Sequence, residues 1–165
     1  DKIPTACTNG KDIKYGRKFV ESLNDADLRG VIIHEAKHKM YRHLLTWKHL
    51  NKQDPQRANM ACDYVINLEI VDESHKSNNF ITLPTGGLVS EKFRGLNSAD
   101  VFNLLPPQPP QGGSGQGGNG SGKAGDGGLP KTVQLGSTGK FYTLGGGGGG
   151  SCRMRFSIQT PRFSG

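Results

Sequence analysis

Apolar residues recur at helical spacing through the first third of the chain. Ile33, Ala36, Met40, Leu44 and Trp47 fall on one stripe, preceded by Leu28, Val31 and Ile32. Asn24 stands where an N-cap would, with Asp27 in the capping-box position, so a helix is predicted from Asp25 onward. The turn Val31 to Ile33 is apolar on every side, which predicts that this helix is buried. Asp54-Pro55 then opens a second helix, an N-cap followed by Pro at the first helical position. Met60, Asp63, Asn67 and Ile70 share one face of it, crowded by Ala61, Val65, Ile66 and Leu68. Ahead of both helices, Asn9-Gly10 is a hairpin signal between Thr5–Cys7 and Ile13–Tyr15.

The pattern fades after residue 105. Residues 1–105 hold 6 of the 25 glycines, and the remaining 60 residues hold 19. The charge divides as well: 15 basic against 13 acidic residues in the first part, 6 against 1 in the second. A compact domain at 1–105 followed by a Gly/Pro-rich basic tail at 106–165 is therefore expected, the tail flexible for most of its length. About 100 residues bury one shallow core, to which a bound metal would add stability. Within the tail, 132–135, 140–144 and 153–158 are candidate strands.

Residues 34–38 read His34-Glu35-Ala36-Lys37-His38. Two histidines four residues apart lie on one helix face, one turn from each other, and can close on a single zinc ion. Glu35 is rotated by about 100° from His34, so it reaches a water on the metal rather than the metal itself. A site of this kind needs a third protein ligand and one open position. His43, His49, Asp54, Asp63, Glu69, Asp72, Glu73 and His75 are the candidates. His43 is nine residues past His34, about 180° round the same helix, and is expected to face away from the metal. Asp63 is favoured, because its apolar neighbours disfavour an unpaired charge and Asn67 one turn on suits a supporting amide.

These residues carry a resemblance. Thr5 to Tyr15, Phe19 to Leu23, the pentad with His43, Ala61-Cys-Asp-Tyr-Val-Ile-Asn67, Gly87 to Leu96 and Ser98 to Phe102 resemble a family of putative zinc metallopeptidase domains. Bacteria encode it beside von Willebrand A-type proteins, and tailed phages carry it alone. The resemblance covers roughly residues 3–105. It implies His34 and His38 as metal ligands, Glu35 as the catalytic base and Asp63 as third ligand. The family continues into a Gly-rich segment with acidic residues and a histidine; here that segment has Asp126 alone and no histidine.

The expected fold is α+β and zincin-like, with the metal-binding helix packed on a second helix and a small sheet or hairpin, followed by the Gly-rich tail. The expected activity is zinc-dependent peptide hydrolysis on a peptide or protein substrate, with Glu35 as general base. The first hairpin or 80–83 is a candidate edge strand for an extended substrate, and Tyr41, Tyr64 and Arg42 are candidate electrophiles. The alternative is a non-catalytic, peptidase-derived or virion- or nucleic-acid-associated binding protein with a structural zinc. The basic tail fits weak non-specific nucleic-acid binding. It lacks the aromatic and basic interleaving of a single-strand binder. Cys7, Cys62 and Cys152 are expected as reduced thiols in a cytoplasmic protein of a bacterium or phage-infected host, or of a virion. No stretch is long and apolar enough to span a membrane. Asp1 in place of Met suggests a processed start or a fragment.

Overall fold

The computed structural model describes residues 3–107, 139–141 and 153–161, the short stretches 139–141 and 159–161 as backbone alone. The elements run β1 (Ala6–Thr8), β2 (Ile13–Tyr15), α1 (Arg17–Glu21), α2 (Asp25–Met40), α3 (His43–Thr46), α4 (Lys48–Gln53) and α5 (Pro55–Lys76). A 3-10 turn at Glu91–Phe93, α6 (Ser98–Leu104), β3 (Gly139–Phe141), β4 (Met154–Arg155) and β5 (Gln159–Pro161) follow. The described residues form an α+β fold.

β1 and β2 pair antiparallel with Ala6 opposite Tyr15 and Thr8 opposite Ile13. Their connection is wider than the two-residue turn expected from Asn9-Gly10. Asn9 Oδ1 accepts from Lys11 N at 2.9 Å and Asp12 N at 2.7 Å, and Thr8 Oγ1 accepts from Gly10 N at 3.0 Å. Side-chain acceptors replace the tight backbone turn, and Gly10 takes φ +89°. β4 adds to the other side of β1, giving the order β2-β1-β4. β3 and β5 form a separate antiparallel pair.

Both helix starts lie where the cap residues put them. Asn24 Oδ1 accepts from Asp27 N at 2.8 Å, and Asp54 Oδ1 accepts from Arg57 N at 3.0 Å. The expected stripe from Ile33 to Trp47 does not form. α2 stops at Met40, and Arg42 takes the left-handed conformation (φ 52°) before α3 begins. The inward face of α2 is Gly30, Val31, His34, Glu35 and His38, while Ile32 and Met40 are exposed. The polar triplet of the pentad, not the apolar stripe, occupies the interior.

The main apolar cluster joins Met60, Ala61, Tyr64 and Leu68 of α5 to Leu88, Phe93, Val101 and Phe102. A second cluster lies between sheet and α2, where Ala6, Val31 and Phe156 meet Phe19, Leu23, Leu83 and Ile158. Phe156 alone contributes roughly 1.5–3 kcal/mol of burial. Residues 153–158, which composition places in the tail, thus supply both a strand and a core side chain. Residues 132–135 and 142–144 of the other candidate strands lie outside the described residues. Residues 80–83 form no strand. They run against α2, where Thr82 N donates to Ala26 O at 3.1 Å and Thr82 Oγ1 to Asp27 Oδ1 at 2.5 Å. Gly30 permits this approach, since a Cβ there would sit 1.8 Å from Thr82 O.

Cys7 is disulfide-bonded and Cys62 is a free, buried thiol, which corrects the expectation of three reduced cysteines; Cys152 lies outside the described residues. An odd count without ribbon spacing says nothing about pairing in space. Among the described residues no helix is long and apolar enough to cross a membrane.

Candidate metal centre

α2 and α5 pack against each other, and each turns a row of polar side chains into the contact. His34, Glu35 and His38 come from α2; Asn59, Asp63 and Asn67, at i, i+4 and i+8, come from α5. All six are buried, and His34, Glu35, Asp63 and Asn67 are 0% exposed. Polar groups at such depth need partners.

The histidines and Asp63 converge through one atom each. His38 Nε2 lies 2.9 Å from His34 Nε2 and 3.1 Å from Asp63 Oδ1, and His34 Nε2 lies 3.5 Å from Asp63 Oδ1. The other atom of each group is occupied from behind. Asn67 Nδ2 donates to Leu88 O at 3.0 Å, which turns its Oδ1 toward His34 Nδ1 at 2.8 Å. His34 Nδ1 therefore carries the proton, and its Nε2 presents a lone pair in the neutral ring. His38 Nδ1 lies 3.0 Å from His43 Nδ1. Asp63 Oδ2 accepts from Ser157 N at 2.9 Å and from Asn59 Nδ2 at 3.2 Å.

Three lone pairs facing one another repel unless a cation lies among them. A tetrahedral ion with bonds of about 2.0–2.1 Å has ligand-to-ligand edges of about 3.3 Å. The observed triangle of 2.9, 3.1 and 3.5 Å matches one face of that figure. His34, His38 and Asp63 form a group that could hold a metal ion, their ligand atoms all within 4.8 Å.

Without a cation, Asp63 Oδ1 can be satisfied only by protons on the facing Nε2 atoms. Burial alone would push the Asp63 carboxyl up, yet its hydrogen bonds to His34 and His38 hold it well below the usual range. Burial disfavours the charged ring of His34, but the hydrogen bond and charge of Asp63 outweigh this and raise it; in His38 burial prevails and lowers it. Glu35 differs in kind. Both of its carboxylate oxygens are buried without a hydrogen-bond partner among the described residues. Burial raises its carboxyl to about 8, with His34 opposing and Asp63 adding to the rise. An ionised carboxylate left so costs on the order of several kcal/mol. A cation-bound water beside the triangle would give those oxygens a donor.

A model of the family described as a putative metallopeptidase domain matches residues 1–154. The chain belongs to that family. No curated protein and no solved structure matches the chain. The family match takes in the Gly-rich stretch and the first residue of β4.

Within this family member the other candidate ligands are engaged elsewhere or exposed. Asp54 caps α5; Glu69 Oε2 takes Lys37 Nζ and Tyr41 OH, both at 2.7 Å; and Asp72 pairs with Arg94 at 2.7 Å. His49, Glu73 and His75 are exposed, and Asp126 lies outside the described residues. His43 does not face away as a continuous helix would require. The break at Arg42 swings it back onto His38, and burial, with the His38 charge, pushes it down to about 3. Of the candidate electrophiles, Tyr41 is bonded to Glu69 and Tyr64 packs edge-on against Phe93 at 4.8 Å.

Asn59 and Tyr15 are not singled out by the sequence reading. Asn59 sits one turn before Asp63, a spacing as readable as that of Asn67. Tyr15 lies opposite Ala6, whose side chain packs with Val31 of α2. Tyr15 itself is 36% exposed on the outer strand. Its burial and the nearby charge of Glu35 both raise its phenol above the ordinary value.

Proposed function

We propose that the protein is a zinc-dependent metallopeptidase, with His34, His38 and Asp63 as ligands and Glu35 as general base. One observation carries the reading: three converging ligand atoms beside a buried carboxylate that has no hydrogen-bond partner among the described residues. A structural metal site has no use for that fourth group. Zinc held there supplies Lewis acidity, acidifying water and polarising a peptide carbonyl. Glu35 takes a proton from the attacking water on one Oε and returns it to the leaving amine. In the metal-free protein burial lifts this carboxyl to about 8; a cation held beside it would lower it again, as a base working near neutral pH requires. Asn67 and His43 keep the two imidazoles in the tautomer with Nε2 free, and Asp63 stays ionised.

The substrate in this reading is an extended peptide. β2 is an outer strand of the sheet, whereas Arg155 on the opposite outer strand already has its N and O bonded to Asn59. A peptide laid along β2 passes Tyr15, whose hydroxyl donates to the carbonyl oxygen as charge develops on it. The complete burial of His34, Glu35 and Asp63 favours a second reading, a closed centre in which zinc only braces α2 against α5. Hydrolysis of a peptide library separates the two. Catalysis requires cleavage that chelation abolishes and added zinc restores. Zinc binding without cleavage would support the closed centre.

A further inference from the structure

Asp63 is held from behind by a segment that lies far along the chain. Ser157 N, 94 residues on, donates to Asp63 Oδ2 at 2.9 Å, and Asn59 Nδ2 donates to the same oxygen at 3.2 Å. Asn59 also grips the segment itself. Its Oδ1 accepts from Arg155 N at 2.7 Å, and the two hydrogens of its Nδ2 are shared among Arg155 O at 2.8 Å, Ser157 Oγ at 3.0 Å and Asp63 Oδ2 at 3.2 Å. One side-chain amide thereby stands in for a neighbouring strand along the outer edge of β4. The segment reaches a second ligand too. The Phe156 ring meets His34 edge-on, centroids 4.8 Å apart and planes at 88°.

These contacts have a directional consequence. A free carboxylate turns about its last bond and offers either oxygen. With the Ser157 amide on Oδ2 and an Asn59 hydrogen shared with it, Asp63 turns Oδ1 to the histidines. The Phe156 ring likewise limits how far the His34 imidazole can swing. Asn59 and Ser157 are 5% and 4% exposed, so water competes little for either bond.

We infer that Asn59 and the Ser157 amide are positioning groups of the metal centre, through which metal binding and the docking of residues 153–158 stabilise each other. The inference rests on the metal reading of the site. If the docked segment raises metal affinity, metal must tighten the docked segment by the same factor. The Gly-rich stretch between Pro107 and Arg153 then joins two parts of one site, and residues assigned by composition to a tail belong to the centre.

Three measurements on the full chain test this. Zinc affinity, read by competition with a chromogenic chelator, is expected to fall about 10- to 100-fold in Asn59→Ala, as for other residues that orient a ligand. Cobalt(II) in place of zinc is expected to show shifted absorption bands in folded Asn59→Ala, which a loss of general stability would not produce. Hydrogen exchange at the Ser157 amide of the unmodified protein is expected to slow when zinc is added. Unchanged affinity and bands in Asn59→Ala, or Ser157 exchange indifferent to zinc, would overturn the inference and leave the metal reading intact. An unmodified protein that binds no zinc would overturn both. Should Asn59→Ala fail to fold, the exchange measurement decides by itself.

Discussion

His38 Nδ1 and His43 Nδ1 stand 3.0 Å apart inside the protein, so one ring must donate to the other. If His38 offers Nε2 to a metal, its Nδ1 holds the proton and His43 accepts it. Burial, reinforced by the charge of His38, pushes His43 down to about 3, which keeps it neutral and able to accept at ordinary pH. A neutral imidazole is an uncommon acceptor for a ligand histidine, where a carboxylate or carbonyl is the usual choice. His43→Phe retains the ring volume and removes the acceptor. Zinc affinity is expected to fall by about an order of magnitude, with the thermal midpoint of the metal-free protein little changed. Equal affinities would mean that the pair does not orient His38.

Tyr15→Phe tests the proposed electrophile. The phenol lies on the outer strand, partly exposed and within the field of Glu35. Loss of one donor to a developing oxyanion is expected to lower kcat by about 10²–10³-fold, with zinc affinity unaltered. An unaltered kcat would move that role to another group.

Much of this site was legible because its signals are local. The caps Asn24 and Asp54, the His34/His38 pair and the Asp63/Asn67 pair are each read within two turns of a helix. What was missed depends on longer reach or on a conformational break. Nothing near Arg42 announces the end of α2, with no Gly or Pro at the break, so helical spacing alone puts His43 on the wrong side. The apolar stripe through Met40 misled because the inward face of α2 is taken by the polar residues of the site, leaving Met40 64% exposed. Phe156 and Ser157 sit in a short apolar island after a long Gly-rich stretch. Only their pairing with β1 and α5, invisible to periodicity, gives them a place.

The close pass of residues 80–83 over α2 gives a stability test remote from the metal. A Cβ at Gly30 would meet Thr82 O at 1.8 Å, and backbone cannot yield as a side-chain tip can. Gly30→Ala gains helix propensity, yet the clash is expected to dominate. A net loss of about 1–3 kcal/mol in urea unfolding is anticipated. A stabilised variant would show that the loop rides farther from the helix.

Glu35 gives the metal-free protein a pH signature. Burial raises its carboxyl from 4.5 to about 8. The folded state then holds a proton that the unfolded state releases, so this contribution is fully present below about 4.5 and is lost as pH rises toward 8. Glu35→Gln cannot ionise. Its urea midpoint is expected to fall less steeply over that interval than that of the unmodified protein, both measured without metal. Parallel curves would show that the carboxyl is not held uncharged.

The central claim is that Glu35 moves the proton while His34, His38 and Asp63 hold the metal. The most direct measurement compares peptide turnover and bound zinc in the unmodified protein and in Glu35→Gln, which keeps the size of the side chain but cannot accept a proton. The expected result is an undiminished zinc content, with turnover lowered by about two to four orders of magnitude. Unchanged turnover in Glu35→Gln would contradict the claim, as would an unmodified, zinc-loaded protein that cleaves no peptide.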